Sequence, residues 1–164
     1  MMRKFYAAAL LSISLALAAC QTAPSPAPHE LSAAQVAVLK DQGFQHTDEG
    51  WAFDLSEKLL FGTDVAHLSP ESQLIVARIG RALLKVGISK VRLDGYTDTS
   101  GNSAYNDKLS ASRSAAVAEI LISVGMAREN ITVRGLGASN PVADNSTEDG
   151  RAQNRRVAII VEVP

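Results

Sequence analysis

Two helix-length runs, each closed by a glycine, constrain this chain more than any other feature. Ser69 and Pro70 open the first and Gly87 closes it. Ser can cap the free amides, Pro suits the first helical position, and Gly accepts the left-handed stop. The spacing predicts a helix from Pro70 to Val86 with Leu74, Ile75, Ile79, Ala82, Leu83 and Val86 on its apolar face. The second run, Ser110 to Val124 before Gly125, would bury Ala116, Val117, Ile120, Leu121 and Val124. Short β-rich runs surround them: Lys58 to Phe61, Lys90 to Leu93, Ile131 to Gly135 and Val157 to Val163. The last two bracket a polar loop that includes Asn140 and Pro141. Such alternation predicts an α+β fold, a two-layer sandwich with a mixed β-sheet and helices packed on one face.

Between the two helices lies the chemistry. The run Lys90 to Leu93 leads through Asp94, Gly95, Tyr96 and Thr97 to Asp98 and then to a turn-rich loop, Thr99, Ser100, Gly101 and Asn102. Asn106 and Leu109 follow, then Ser110 and Arg113. Binding residues concentrate on loops of this kind. Ser110 reads as an N-cap, which makes Arg113 the third residue of its helix. A cation there is misplaced, because helix N-termini favour anions by roughly 0.3 to 1 kcal/mol, so an anion is expected nearby. Two qualify: Asp98, or a bound carboxylate that the free amides of the helix start would also attract. In one reading Asp98 and Arg113 form an ordinary, weak salt bridge. In the other they make a pocket of both signs for a zwitterionic amino-acid terminus. Arg113 would grip its carboxylate with a bidentate fork and Asp98 its ammonium.

The order Asp94-Gly95-Tyr96-Thr97-Asp98, then Gly101, Asn106, Leu109-Ser110 and Arg113, resembles the signature of the OmpA C-terminal family of peptidoglycan-binding domains. The resemblance runs over residues 55 to 163. It implies an OmpA-like sandwich and, as ligand, the diaminopimelate of the peptidoglycan stem peptide. It further implies that Asp98 and Arg113 grip that ligand, with Thr97, Gly101, Asn106 and Leu109 around it. The family usually has His where this chain has Tyr96. The run Asn154, Arg155, Arg156, Val157 also recurs in the family. Its basic pair either holds peptidoglycan or closes salt bridges to Asp or Glu at the sheet end, and the structural role is favoured.

With 164 residues, 46% hydrophobic and 20% charged, the chain suits one compact domain plus appendages. A formal net charge of -1, with no Lys/Arg cluster among aromatics, argues against a nucleic-acid partner. His29, His46 and His67 are scattered without ligand spacing, and no nucleophile motif appears, so neither a metal, a cofactor nor an enzyme is expected.

Residues 1–19 read as a signal peptide. Arg3 and Lys4 precede an apolar run, Phe5 to Leu17, shorter than the ~20 residues that span a bilayer. Leu17, Ala18 and Ala19 then meet Cys20, the single cysteine, which matches a bacterial lipobox. Cys20 is therefore the expected lipid attachment point, and several acyl chains at about 0.8 kcal/mol per buried CH₂ anchor stably. Gln21 stands where Asp would signal inner-membrane retention, which favours the outer membrane, with the domain facing the periplasm. Removing Arg3 and Lys4 from 16 basic residues against 17 acidic leaves the mature chain mildly acidic. Residues 20–30 form a tether with Pro24, Pro26 and Pro28, reaching about 30 Å at ~3.1 Å per residue.

Residues 31–54 form a separate segment before the domain at 55–164. Ser32 and Gln35 read as a capping box, with Leu31 stapled onto Val36, and the short helix ends at Gly43. Phe44 to His46 and Trp51 to Phe53, split by Asp48, Glu49 and Gly50, predict a small hairpin. This piece is too short to own a core, so Leu39, Phe44 and Trp51 must pack on the domain or on a partner. The segment resembles that of a signalling lipoprotein within the family. That likeness implies a periplasmic repressor as partner, whose capture relieves an inner-membrane diguanylate cyclase and raises cyclic di-GMP. A purely structural anchor between outer membrane and wall is the second reading. Oligomeric state is left open, a homodimer included.

Overall fold

The computed structural model describes residues 30–56 and 68–163. The expected signal peptide, Cys20, the tether and the strand expected at Lys58 to Phe61 lie outside the described residues. The elements run α1 (Ala33–Asp41), β1 (Gln45–Thr47), β2 (Gly50–Ser56), α2 (Pro70–Lys85), β3 (Val91–Tyr96) and α3 (Ser103–Ser123). A 3₁₀ turn (Arg128–Asn130), β4 (Ile131–Gly135), α4 (Glu148–Asn154) and β5 (Arg156–Val161) complete them. The strands form one five-stranded sheet in the order β1-β2-β5-β3-β4. β3 and β4 are parallel, joined by α3 as the crossover, while β5 inserts antiparallel between β2 and β3. This is the mixed sheet and two-layer α+β sandwich expected.

Alternation along the strands sorts the two faces. Leu55, Val91, Leu93, Val157, Ile159 and Val161 point into one core with Val76, Ile79 and Leu83 of α2 and Val117 and Leu121 of α3. The opposite face mixes charge with a small apolar cluster of Tyr96, Ala158 and Ile160. There Arg92 bonds Asp94 at 3.1 Å, Arg134 reaches the same carboxylate at 3.3 Å, and Glu49 and Glu162 bind Arg92 from the strand ends. Leu74, expected on the apolar face of α2, is instead 69% exposed, and Val76 takes the buried position. The real stripe of α2 runs through Ser72, Val76, Ile79, Gly80 and Leu83. Gly80 lets α3 approach closely, since a Cβ there would fall 2.9 Å from Leu121 and Val124.

The N-terminal segment is not an appendage. The capping box of Ser32 and Gln35 forms as expected, and the Gln35 amide also donates to the Val86 carbonyl at 3.2 Å, tying α1 to the end of α2. β2 begins at Gly50 and pairs with β5 from Trp51 onward, across the boundary expected at residue 54. Of the two readings open for Leu39, Phe44 and Trp51, packing on the domain is the one this conformation adopts: they are 0%, 4% and 8% exposed and belong to the main core. Burying a leucine fully is worth roughly 1.5 to 3 kcal/mol.

Leu39→Ala should therefore destabilise the whole domain by about 2 to 5 kcal/mol, read as a lower urea midpoint in a single transition. An early, separate transition for α1 would contradict its membership of the core.

Candidate functional site

The Asp98 loop and α3 meet at the ends of β3 and β4. α3 begins seven residues earlier than expected: Asn102 is the N-cap, its Oδ1 accepting from the Tyr105 amide at 2.8 Å, and Gly101 turns the chain at φ 81°. Ser110 is therefore not a cap. It sits mid-helix, its hydroxyl donating to the Asp107 carbonyl and accepting from the Gly137 amide, both at 3.0 Å. Arg113 lies about three turns into the helix, so neither the dipole argument nor the anion site at a helix start applies to it. The signal that was passed over is Asn102 itself, a good cap residue following a glycine.

Why Arg113 is buried follows from the helix's inner stripe. Asn106, Ser110, Arg113, Ser114, Val117, Ala118 and Leu121 all face inward, polar in the first half and apolar in the second. The polar half lies against backbone. A Cβ on Gly95 would stand 2.2 Å from the Ser110 carbonyl oxygen, and one on Gly135 would stand 2.5 Å from that of Asp107. These glycines let α3 settle directly on the strand ends and bring the Asp98 loop and Arg113 to the same end of the sandwich.

Asp98 is 7% exposed. Its Oδ2 accepts from Arg155 Nη1 at 2.7 Å and its Oδ1 from the Ser100 amide at 2.8 Å. Burial pushes its carboxyl up, but the bonds from Arg155 and Ser100 outweigh burial and hold it below the ordinary 3.8. Asn106 donates to the Ser100 carbonyl at 2.9 Å, bracing the turn that Gly101 makes. Thr97 donates its amide to the Gly137 carbonyl at 2.8 Å, while its Oγ1 is buried and makes no hydrogen bond among the described residues. Leu109 is half-buried and Arg113 is 5% exposed. Asp98, Ser100 and Asn106 are thus joined in one hydrogen-bonded turn around Gly101, with Thr97 tied to Gly137 beside it and Arg113 on the helix that follows.

The other wall was only partly foreseen. α4 lies within the loop expected to be structureless. It is capped by Thr147, whose side chain accepts from the Gly150 amide, a signature visible in Thr147-Glu148-Asp149. Asn154 clamps the chain before it, accepting from the Val142 and Ala143 amides and donating to Asn145 Oδ1, which also accepts from the Thr99 amide at 3.3 Å. Arg155 bonds Asp98 and Glu148, as the structural reading of the basic pair expected. Arg156 packs over the Tyr96 ring, 3.8 Å from its centre, on the sheet face away from the helices. Tyr96 therefore stands on the far face from Arg113 and contributes packing there.

A turn-held carboxylate at the end of β3 and a buried guanidinium on α3, carried by a mixed sheet, define the class. The profile of the OmpA family matches residues 60–155, and the chain belongs to that family. Over 96% of its length it is 52% identical to the outer-membrane lipoprotein YfiB of Pseudomonas aeruginosa, covering 93% of that protein. The peptidoglycan-binding protein ArfA of Mycobacterium bovis is 42% identical over 63% of this chain and 32% of its own length. Among solved structures, the cell wall anchor of the type VI secretion system from Pseudomonas aeruginosa superposes with a TM-score of 0.65. It is 30% identical and covers 83% of this chain and 99% of its own. Among the described residues no helix is long and apolar enough to cross a membrane.

Because its pKa is lowered on folding, Asp98 contributes stability that is present above the unfolded-state value and lost as pH falls through the folded one. Asp98→Asn should cost about 1 to 3 kcal/mol at pH 7. The gap to wild type should close as pH falls below the ordinary carboxylate range, and parallel urea melts at both ends would check it. A gap that persists in acid would sink the ion-pair account.

Proposed function

We propose that this protein is held in the outer membrane by lipid on Cys20 and binds peptidoglycan through Asp98 and Arg113. We further propose that it sequesters a periplasmic repressor of the YfiR kind, relieving the diguanylate cyclase YfiN and raising cyclic di-GMP. The observation that supports the wall-binding part is two buried groups of opposite charge at the same end of the sandwich: Asp98 fixed by Ser100 in a hydrogen-bonded turn, and Arg113 seated on α3. Carboxylate and guanidinium together fit the ammonium and carboxylate of a diaminopimelate terminus. The turn residues Thr97, Gly101 and Asn106 shape its edge, and the buried hydroxyl of Thr97 offers it a hydrogen bond. Binding proteins and wall anchors among the relatives support the same reading.

Support for the signalling part comes from extent. Similarity to YfiB continues through nearly the whole chain, 158 residues and 96% of its length, whereas similarity to ArfA extends over 103 residues, 63% of this chain. A repressor would reach Phe44 and Trp51 once the segment loosens from the core. The burial of Leu39, Phe44 and Trp51 favours a second reading, a purely structural anchor between membrane and wall in which the segment never leaves the core.

Two losses should separate cleanly. Arg113→Ala in the full-length protein should weaken retention on diaminopimelate-containing sacculi by roughly 10- to 100-fold, the scale of a charged hydrogen bond. Retention equal to wild type would remove the wall-binding role from this site. Trp51→Ala should abolish co-purification with the repressor while sacculus retention persists. Absence of repressor from wild-type preparations would leave the structural anchor as the function.

A further inference from the structure

Arg155, between α4 and β5, closes the Asp98 turn from outside. Its Nη1 lies 2.7 Å from Asp98 Oδ2 and its Nη2 lies 3.2 Å from Glu148 Oε1. One guanidinium therefore spans two carboxylates. The Asp98 side chain is 10% exposed, within the candidate site, and that of Glu148 is 69% exposed, at its rim.

We propose that Arg155 is a built-in counter-ion that competes with a ligand's ammonium group for Asp98, and that Glu148 takes over the guanidinium as the ligand arrives. This rests on the zwitterion reading of the Asp98–Arg113 site. Arg155 is not needed to orient Asp98, because Oδ1 is already fixed by the Ser100 amide at 2.8 Å and that turn is braced by Asn106.

What remains is charge. An ammonium approaching Asp98 meets a cation on the same carboxylate, and two like charges sharing one partly buried anion repel. The ligand gains Asp98 only as far as Arg155 yields. Yielding has a ready acceptor, since the second arm of the fork already rests on Glu148, and a planar guanidinium can shift between acceptors by a small rotation. The exchange also selects the ligand. A carboxylate without an adjacent ammonium cannot displace Arg155, so Asp98 stays neutralised and contributes no attraction.

The test is calorimetric titration of meso-diaminopimelate into full-length protein in detergent, comparing wild type, Arg155→Met, Glu148→Gln and the double variant. Arg155→Met should bind roughly two- to fivefold tighter, the scale of a partly exposed ion pair. Glu148→Gln should bind more weakly in the wild-type background, and its effect should vanish when Arg155 is absent. Glu148 is on the surface, so its variant keeps the fold and tests the idea even where Arg155→Met does not fold. Weaker or unchanged binding by folded Arg155→Met, beside normal wild-type binding, overturns the counter-ion role alone. So does a Glu148→Gln variant that binds like wild type, or one equally weakened with and without Arg155. No binding by wild type overturns the zwitterion site, and the counter-ion role falls with it.

Discussion

The contact between the first half of α3 and the ends of β3 and β4 is backbone against backbone, and the rest of the candidate site depends on it. Any side chain at Gly95 or Gly135 would occupy space held by the Ser110 and Asp107 carbonyls. With hydrogen in those places, the helix lies low enough for Ser110 to reach the Gly137 amide and for Ser114 to reach the Arg134 carbonyl at 3.3 Å. That seat explains how a helix can bury Asn106, Ser110, Arg113 and Ser114 in succession. Polar groups are tolerated inside when hydrogen bonds replace lost water, and here the Gly137 amide and Arg134 carbonyl serve Ser110 and Ser114 while the Ser100 carbonyl serves Asn106.

The site is consequently a junction of two remote stretches. Residues 97–113 provide the carboxylate, the turn and the buried guanidinium. Residues 142–156 enclose them through Asn145, Asn154 and Arg155, each bonded across the gap or to its neighbours. β5 delivers the second stretch because it inserts between β2 and β3, placing its first residue beside the last of β3: Arg156 pairs with Tyr96. The same insertion makes β2 an inner strand, which is why α1 and the β1-β2 hairpin share the core. The Asp98 turn and the N-terminal segment are thus parts of one packed body, at opposite sides of the shared strand β5.

Local chemistry was legible wherever punctuation was unambiguous. Ser69, Pro70 and Gly87 bounded α2 to within a residue, Ser32 and Gln35 formed their box, and β4 occupied the expected Ile131 to Gly135. The first two turns of α3 were illegible for a physical reason. Hydrophobic periodicity reports burial only when the buried face is apolar, and this face carries Asn106 and Ser110. Leu74 misled in the opposite sense, an apolar side chain left in water on α2. α4 was hidden because a seven-residue helix with Gly150, Arg151 and Asn154 inside has no apolar stripe to read.

By itself the sequence determined the class of fold, the family, the lipobox around Cys20 and the identity of the residues in the Asp98 turn. The class of fold follows from local rules of capping, spacing and alternation, which act within a few residues, and the rest from the resemblance of short motifs to known ones. Tertiary structure alone decided that Asp98 is bonded to Arg155 and that Leu39, Phe44 and Trp51 lie in the core. Each of these depends on which strand lies beside which. Asp98 and Arg155 are 57 positions apart, and no local spacing encodes a contact that exists only because β5 lies next to β3.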